Sequence, residues 1–286
     1  MQNDDNEPDG LPSPQDSSTS SPGNRRLASG AGRTYIRLAG NDETHKASTP
    51  ARQPASTRNL VHTRIHATMC VNFTPTPPTV LPGHFHTPDP LGDWKDEVWQ
   101  DYLAPIIIHD ESGRRQALLA SYGMVPKQKI PPGTKPFSTM NARSETVDSK
   151  RSYRTAWLKG YRCLVPMTAF FEPCYESGKA ERMRIGMADG APFAVAGLWR
   201  PWKAENGAYT FSFTQLTINA DQHALMRRMH RPDDEKRSLV IVPEADYDLW
   251  LNCADPAQAR GYLRDFPADR MLAVAPDRQQ QPLFGA

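Results

Sequence analysis

Tyr161-Arg162-Cys163-Leu164-Val165-Pro166-Met167-Thr168-Ala169-Phe170-Phe171 is an apolar stretch that closes on Glu172-Pro173. It lies in a series of similar short segments. Upstream, Ala104 to Ile108 reads as a buried strand, and Ala117 to Val125 as another, halted by Pro126. Downstream, Arg182 to Ala188 and Phe193 to Trp199 read as a hairpin around Asp189-Gly190. Tyr209 to Ile218 alternates as a strand does, and Ser238 to Val242 and Met271 to Ala275 add two more. Helices are fewer. A short one is expected at Trp94 to Tyr102. A second is expected at Ser149 to Lys159, with Ser149 as N-cap and Tyr153 and Trp157 on one face. His223 to Met229 reads as a short helix or turn. Pro243 to Leu251 and Pro256 to Phe266 begin near proline, as helices often do. Many strands among few helices predict an α+β domain built on a curved sheet or pseudo-barrel with peripheral helices.

The chain has 286 residues, unevenly endowed. Residues 1–68 hold a single aromatic, Tyr35, while all six tryptophans lie beyond residue 90. Such a segment cannot offset its ordering entropy and is expected to be disordered. Residues 69–286 suit one domain. The net charge of +2 excludes a global polyanion binder, so a nucleic-acid site must be a local patch. No apolar run reaches the ~18 residues of a membrane span. The acidic start, Met1 to Gly10, lacks the apolar core of a secretory signal. Cys70, Cys163, Cys174 and Cys253 match no zinc spacing, so neither a metal nor a disulfide framework is expected. These features together lead us to expect a cytoplasmic monomer without membrane attachment or cofactor.

Four places carry chemistry. Cys70 follows Met69 where the composition changes. As a first residue it would offer an α-amine (pKa about 7.7–8.0) beside a thiol (about 8.5). That aminothiol can trap an aldehyde as an imine and close a five-membered ring. As an internal residue, Cys70 would be a small buried hydrophobe. Asn141-Ala142-Arg143-Ser144-Glu145-Thr146 sits in a basic stretch, Lys127 to Arg162, with nine Lys/Arg against two acidic residues. Arginine forks suit phosphate, although a solvated charged face is the commoner meaning. Glu172, between two phenylalanines and a proline, is either a desolvated proton carrier or a strand end pointing to water. His230 lies among Arg227, Arg228 and Arg231, whose charges favour a neutral imidazole. His223 is its competitor.

Together these residues resemble the SOS-response-associated peptidase family of abasic-site processing proteins. The matching elements run from Met69-Cys70 through Tyr122-Gly123-Met124-Val125-Pro126, the Asn141–Thr146 segment, and Arg162 to Pro166 leading into Phe171-Glu172-Pro173. Ala196-Gly197-Leu198-Trp199, the Thr217 strand and the His230 segment complete the set. The resemblance implies binding of single-stranded DNA at an abasic site. It also implies a thiazolidine crosslink between Cys70 and the sugar aldehyde, and self-removal of the peptide before Cys70. In that scheme Asn141 positions the amine or sugar, and Glu172 and His230 move protons. Arg143 holds a phosphate, with further DNA contacts from Asn72, Arg151, Thr217 and either Arg231 or Arg237. Tyr122 and Met124 stack on or wedge against bases.

The chain departs from the family pattern in three places. Val71-Asn72 follows Cys70 where the family has Gly-Arg, and Tyr122 replaces a tryptophan. His230-Arg231-Pro232 is followed by an acidic insertion, Asp233-Asp234-Glu235. Residues 1–68 have three readings: an upstream-misassigned translation start, a leader removed by self-cleavage, or a segment that stays attached. The first is favoured. Two other function classes stand beside the main one: a thiol peptidase acting on other proteins, and a non-covalent single-stranded-DNA-binding module.

Overall fold

The computed structural model describes residues 72–88, 92–135 and 137–275. The expectations for residues 1–68 and for Cys70 lie outside the described residues. In chain order the strands are β1 (Phe73–Pro75), β2 (Leu103–His109), β3 (Arg115–Tyr122), β4 (Asn141–Arg143) and β5 (Arg162–Cys174). They continue with β6 (Glu181–Met187), β7 (Phe193–Lys203), β8 (Tyr209–Asn219), β9 (Arg237–Leu239), β10 (Ile241–Val242) and β11 (Met271–Val274). Among the described residues four short α-helices accompany them: α1 (Leu81–Phe85), α2 (Arg151–Leu158), α3 (Tyr247–Leu251) and α4 (Pro256–Ala259). The α+β, strand-dominated architecture is the one expected.

Strands β7, β8, β3, β2 and β5 close on one another through the β5–β7 pairing and form a barrel. Neighbours are antiparallel except β3 and β8, which run parallel. Side chains alternate between two faces. Ile106 and Ile108 of β2 and Cys163, Val165 and Met167 of β5 point to one core with Tyr122 and Phe213. Ile107 and Leu164 point the other way, to a second core shared with Tyr153 and Trp157 of α2 and Trp250 of α3. The barrel is thus filled inside and covered by helices outside, which is why β2 and β5 read as continuous apolar runs. Gly197 of β7 is required by this packing, since a Cβ there would meet Cys163 Sγ and the Thr214 carbonyl at 2.8 Å.

The long strand β5 positions the site. It has 13 residues, more than one partner can cover. Arg162 to Met167 pair with β7, and Phe170 to Pro173 pair with β6. This overturns the hairpin expected around Asp189-Gly190. β6 and β7 do not pair with each other; each lies antiparallel to a different half of β5. A local turn signal says where the chain reverses, not which strand it then joins. The helix expected at Trp94 to Tyr102 is also absent. Val98 instead forms a bridge with Phe73, and the segment is irregular. Ser149 does not cap α2. Lys150 precedes the helix in extended geometry, and the Ser149 hydroxyl donates to the Thr146 carbonyl at 3.0 Å. Helix α1 lies in a proline-rich stretch, with Pro82 tolerated in its first turn.

Candidate functional site

Glu172 and His230 meet at the far end of β5. Glu172 pairs in register with Met183 of β6, and its side chain is buried. The next residue, Pro173, presents a carbonyl that accepts from the His230 backbone N–H at 2.6 Å. Cys174 then bridges Met229 and His230. These contacts hold His230 at φ 63°, a left-handed conformation that costs a non-glycine residue roughly 1–3 kcal/mol. Its Nδ1 lies 3.7 Å from Glu172 Oε2, with the side chains only 2% and 3% exposed. Among the described residues, His230 Nε2 has no hydrogen-bond partner. Burial pushes its pKa below the ordinary value and Lys236 adds to this, while a backbone contact with Arg237 and the charge of Asp234 oppose it. A neutral imidazole beside a carboxylate can pass a proton in either direction.

His230 also lines a cleft of about 620 Å³, with Tyr175, Arg227, Arg228, Asp234 and Lys236 on its walls. Its competitor His223 is placed differently. His223 Nε2 donates to the Phe266 carbonyl at 2.8 Å, and Nδ1 accepts from the Met226 and Leu225 backbone at 3.0 and 3.2 Å. Both ring nitrogens are committed to holding a turn.

Asn141 opens β4, opposite Gln215 of β8, and its carbonyl accepts from the Tyr153 hydroxyl at 3.0 Å. Arg143, two residues on, is exposed and lies opposite Thr217. Its Nη1 donates to Glu235 Oε2 at 2.6 Å. Arg237 is buried beneath it. Arg237 Nη1 donates to Glu145 Oε1 at 2.8 Å and to Glu235 Oε1 at 2.9 Å. Its Nη2 donates to Glu145 Oε2 and the Thr217 carbonyl, both at 2.9 Å, and to Thr217 Oγ1 at 3.2 Å. Partial burial would raise the Glu145 pKa, but the Arg237 fork dominates and holds it at about 2.

Several residues expected at a DNA surface lie inside this structure. Tyr122 and Met124 are fully buried, so neither presents a face to a base. Tyr122 stacks on Phe213 at 5.2 Å and donates to Gln215 Oε1 at 3.0 Å, as a barrel-core tyrosine should. Thr217 is buried under Arg237. Asn72 is buried, its amide donating to the Glu97 carboxylate, which also pairs with Arg182. Arg151, at the start of α2, and Arg231 are exposed. The basic stretch does not form one face. Its last member, Arg162, is buried between Trp157 and Trp250 at 4.4 and 5.0 Å, and donates to the Cys253 carbonyl at 2.7 Å. Residues that sequence reasoning missed are Glu145 and Glu235. Glu145 stands in the quoted Asn141–Thr146 segment, but its partner is 92 positions away. Among the described residues no His/Cys/Asp/Glu group is gathered for a metal ion, and no helix is long and apolar enough to cross a membrane.

Comparisons with known proteins follow the same lines. The family described as SOS response associated peptidase (SRAP) matches residues 69–277. An abasic site processing protein of Bacillus subtilis, YoaM, is 30% identical over 181 residues, covering 61% of this chain and 73% of that protein. The abasic site processing protein HMCES of Xenopus tropicalis is 26% identical over 132 residues, 39% of each chain. The HMCES of Gallus gallus is 23% identical over 51% of this chain and 48% of its own. The chain therefore spans less than half of either vertebrate relative. A crystal structure of a protein from Bordetella bronchiseptica superposes with a TM-score of 0.64 at 35% identity, covering 72% of this chain and 99% of that one.

Proposed function

The chain belongs to the SOS response associated peptidase family, and from that premise we propose that it processes abasic sites in single-stranded DNA by covalent capture through Cys70. Within the domain spanning 69–286, Cys70 becomes the first residue once Met69 and everything before it are removed. Its α-amine adds to the aldehyde of the ring-opened sugar and loses one water to give an imine. The thiolate then adds to the imine carbon, the nitrogen takes a proton, and a thiazolidine closes. The net change is protein plus DNA minus one water, with no oxidant or metal.

The observation that carries this reading is the buried Glu172–His230 pair, 3.7 Å apart. Proton transfers in ring opening, dehydration and ring closure need a proton donor and acceptor held side by side, and a carboxyl group next to an imidazole supplies that arrangement. Cys70 lies outside the described residues. The register of β1 on β5, Phe73↔Phe170 and Thr74↔Ala169, runs antiparallel. Asn141 orients the amine or the sugar hydroxyls. Arg143 and Arg231, both exposed, hold phosphates beside the lesion, with Arg151 further along. Arg237 and Thr217 act from below, keeping Arg143 and its strand in place. The same proton carriers serve hydrolysis of the peptide bond before Cys70. The setting is the DNA-damage response of the cytoplasm.

Denaturing electrophoresis of the Met69-start protein with an abasic single-stranded oligonucleotide tests the reading. A band that survives heat and denaturant is expected, and Cys70→Ala should abolish it while retaining non-covalent binding. A peptidase acting on other proteins would give no such band. A DNA-binding module would shift the oligonucleotide only under native conditions.

A further inference from the structure

The acidic insertion Asp233-Asp234-Glu235 has no role in the chemistry above, yet it reaches the phosphate-binding edge. Glu235 is held at two points. Oε1 accepts from Arg237 Nη1 at 2.9 Å and from Asn219 Nδ2 at 3.5 Å. Oε2 accepts from Arg143 Nη1 at 2.6 Å. Arg237 is buried and fixed by Glu145 and Thr217, so one Glu235 oxygen has a rigid anchor. The other oxygen is thereby aimed at an arginine whose side chain is 50% exposed. A carboxylate oxygen on a guanidinium N–H makes the same charge-assisted contact as a phosphate oxygen. Glu235 itself is 37% exposed, and exposed pairs of this kind are weak enough to be displaced.

We propose that Glu235 is a built-in phosphate stand-in that occupies Arg143 until a DNA strand displaces it, and is thereby a specificity-determining residue. The proposal rests on the reading of Arg143 as a phosphate contact. Phosphate contacts attract any single strand, damaged or not. A carboxylate competing for Arg143 weakens that indiscriminate part of binding. It leaves the covalent step, which only an aldehyde can undergo, to select the lesion. Because Arg237 retains the second oxygen, Glu235 can yield Arg143 by rotating its carboxylate without unfolding the β8–β9 edge.

The test uses the full chain and a fluorescent single-stranded oligonucleotide lacking an abasic site, followed by anisotropy at several salt concentrations. Glu235→Gln keeps an acceptor for Arg237 but removes the charge. It should tighten binding about two- to fivefold at low salt, the range of an exposed ion pair. It should also steepen the salt dependence by up to about 0.7 in log–log slope, one further phosphate contact. Arg143→Ala should weaken binding, and in that background Glu235→Gln should have no effect. If Arg143→Ala weakens binding but Glu235→Gln does not tighten it, the stand-in is overturned and the phosphate reading survives. Tightening that persists without Arg143 also overturns it, because a general charge effect would then explain the gain. If Arg143→Ala binds like the parent, the phosphate reading itself falls, and the stand-in with it.

Discussion

Glu172–His230 and Glu235–Arg143 are both acid–base pairs of the same domain, yet they differ in almost every physical respect. The first is buried, with side chains 3% and 2% exposed, and separated by 3.7 Å. The second is exposed, at 37% and 50%, and in contact at 2.6 Å. In water-like surroundings a contact pair gains little, since solvent screens it and competes for both partners. In the interior a pair without close contact is costly to charge, and the protein responds by keeping His230 neutral. The buried pair therefore suits proton transfer, and the exposed pair suits adjustable binding. Tightness of contact is a poor guide to which pair does chemistry; burial and the strained φ of His230 are better ones.

The largest effects should follow from breaking the buried pair. His230→Ala and Glu172→Gln should each slow adduct formation by about 10²–10⁴-fold, the usual range for a lost general acid or base. Affinity for undamaged single strands should change far less, as single-turnover gels beside anisotropy would show. His223→Ala is the control. It loses a buried turn anchor and should cost about 1–3 kcal/mol of stability by thermal denaturation, with adduct chemistry in the folded protein unchanged. A crippled His223 variant with a normal His230 variant would reverse the assignment.

Next in size is the support beneath the exposed pair. Arg237→Ala removes five hydrogen bonds to Glu145, Glu235 and Thr217. The carboxylates it leaves behind are partly solvated, so the loss should be about 2 kcal/mol, not the larger figure for a stranded buried charge. In a domain of this size that lowers Tm by about 4–8 °C. Its failure would mean that Arg237 is free to serve DNA directly.

The smallest effect separates the two regions by pH. His230 binds a proton less readily when folded than when unfolded. Its stabilising contribution is complete above its ordinary 6.5 and is lost as pH falls through its lower folded value. Glu145 is held at about 2 against an ordinary 4.5, so its contribution is complete above 4.5 and is lost as pH falls toward 2. Stability against pH should show both acid limbs. Arg237→Ala should shrink the lower one without abolishing it, since Asp110, held at about 2 by Ser112 and Arg114, titrates there as well, and the rate of adduct formation should be insensitive to that change.

Much of this was legible in the sequence because it is local. The apolar runs of β2, β5 and β8 and the paired Tyr153 and Trp157 of α2 declare themselves by composition and spacing. The segments around Asn141, Glu172 and His230 stand out as chemistry embedded in apolar or basic chain. What stayed hidden is long-range. Nothing near Arg182 or Phe193 says that their strands flank the two halves of β5 instead of each other. Nothing near Tyr122 or Thr217 says that they face the interior. A run of nine basic residues reads as a patch until Arg162 is found between two tryptophans and Arg143 against a carboxylate. Exposure is a property of the closed barrel, and the order of residues does not carry it.

The central claim is that a free α-amine on Cys70 is one of the two nucleophiles, and the mass of the adduct tests it most directly. The full chain and the Met69-start protein should each be incubated with an abasic oligonucleotide, denatured, and analysed by intact-mass and N-terminal peptide mass spectrometry. The expected product begins at Cys70 and weighs the sum of protein and DNA less one water, with the sugar attached to the terminal residue. A normal yield of adduct from a chain that still carries residues 1–69 would contradict the account.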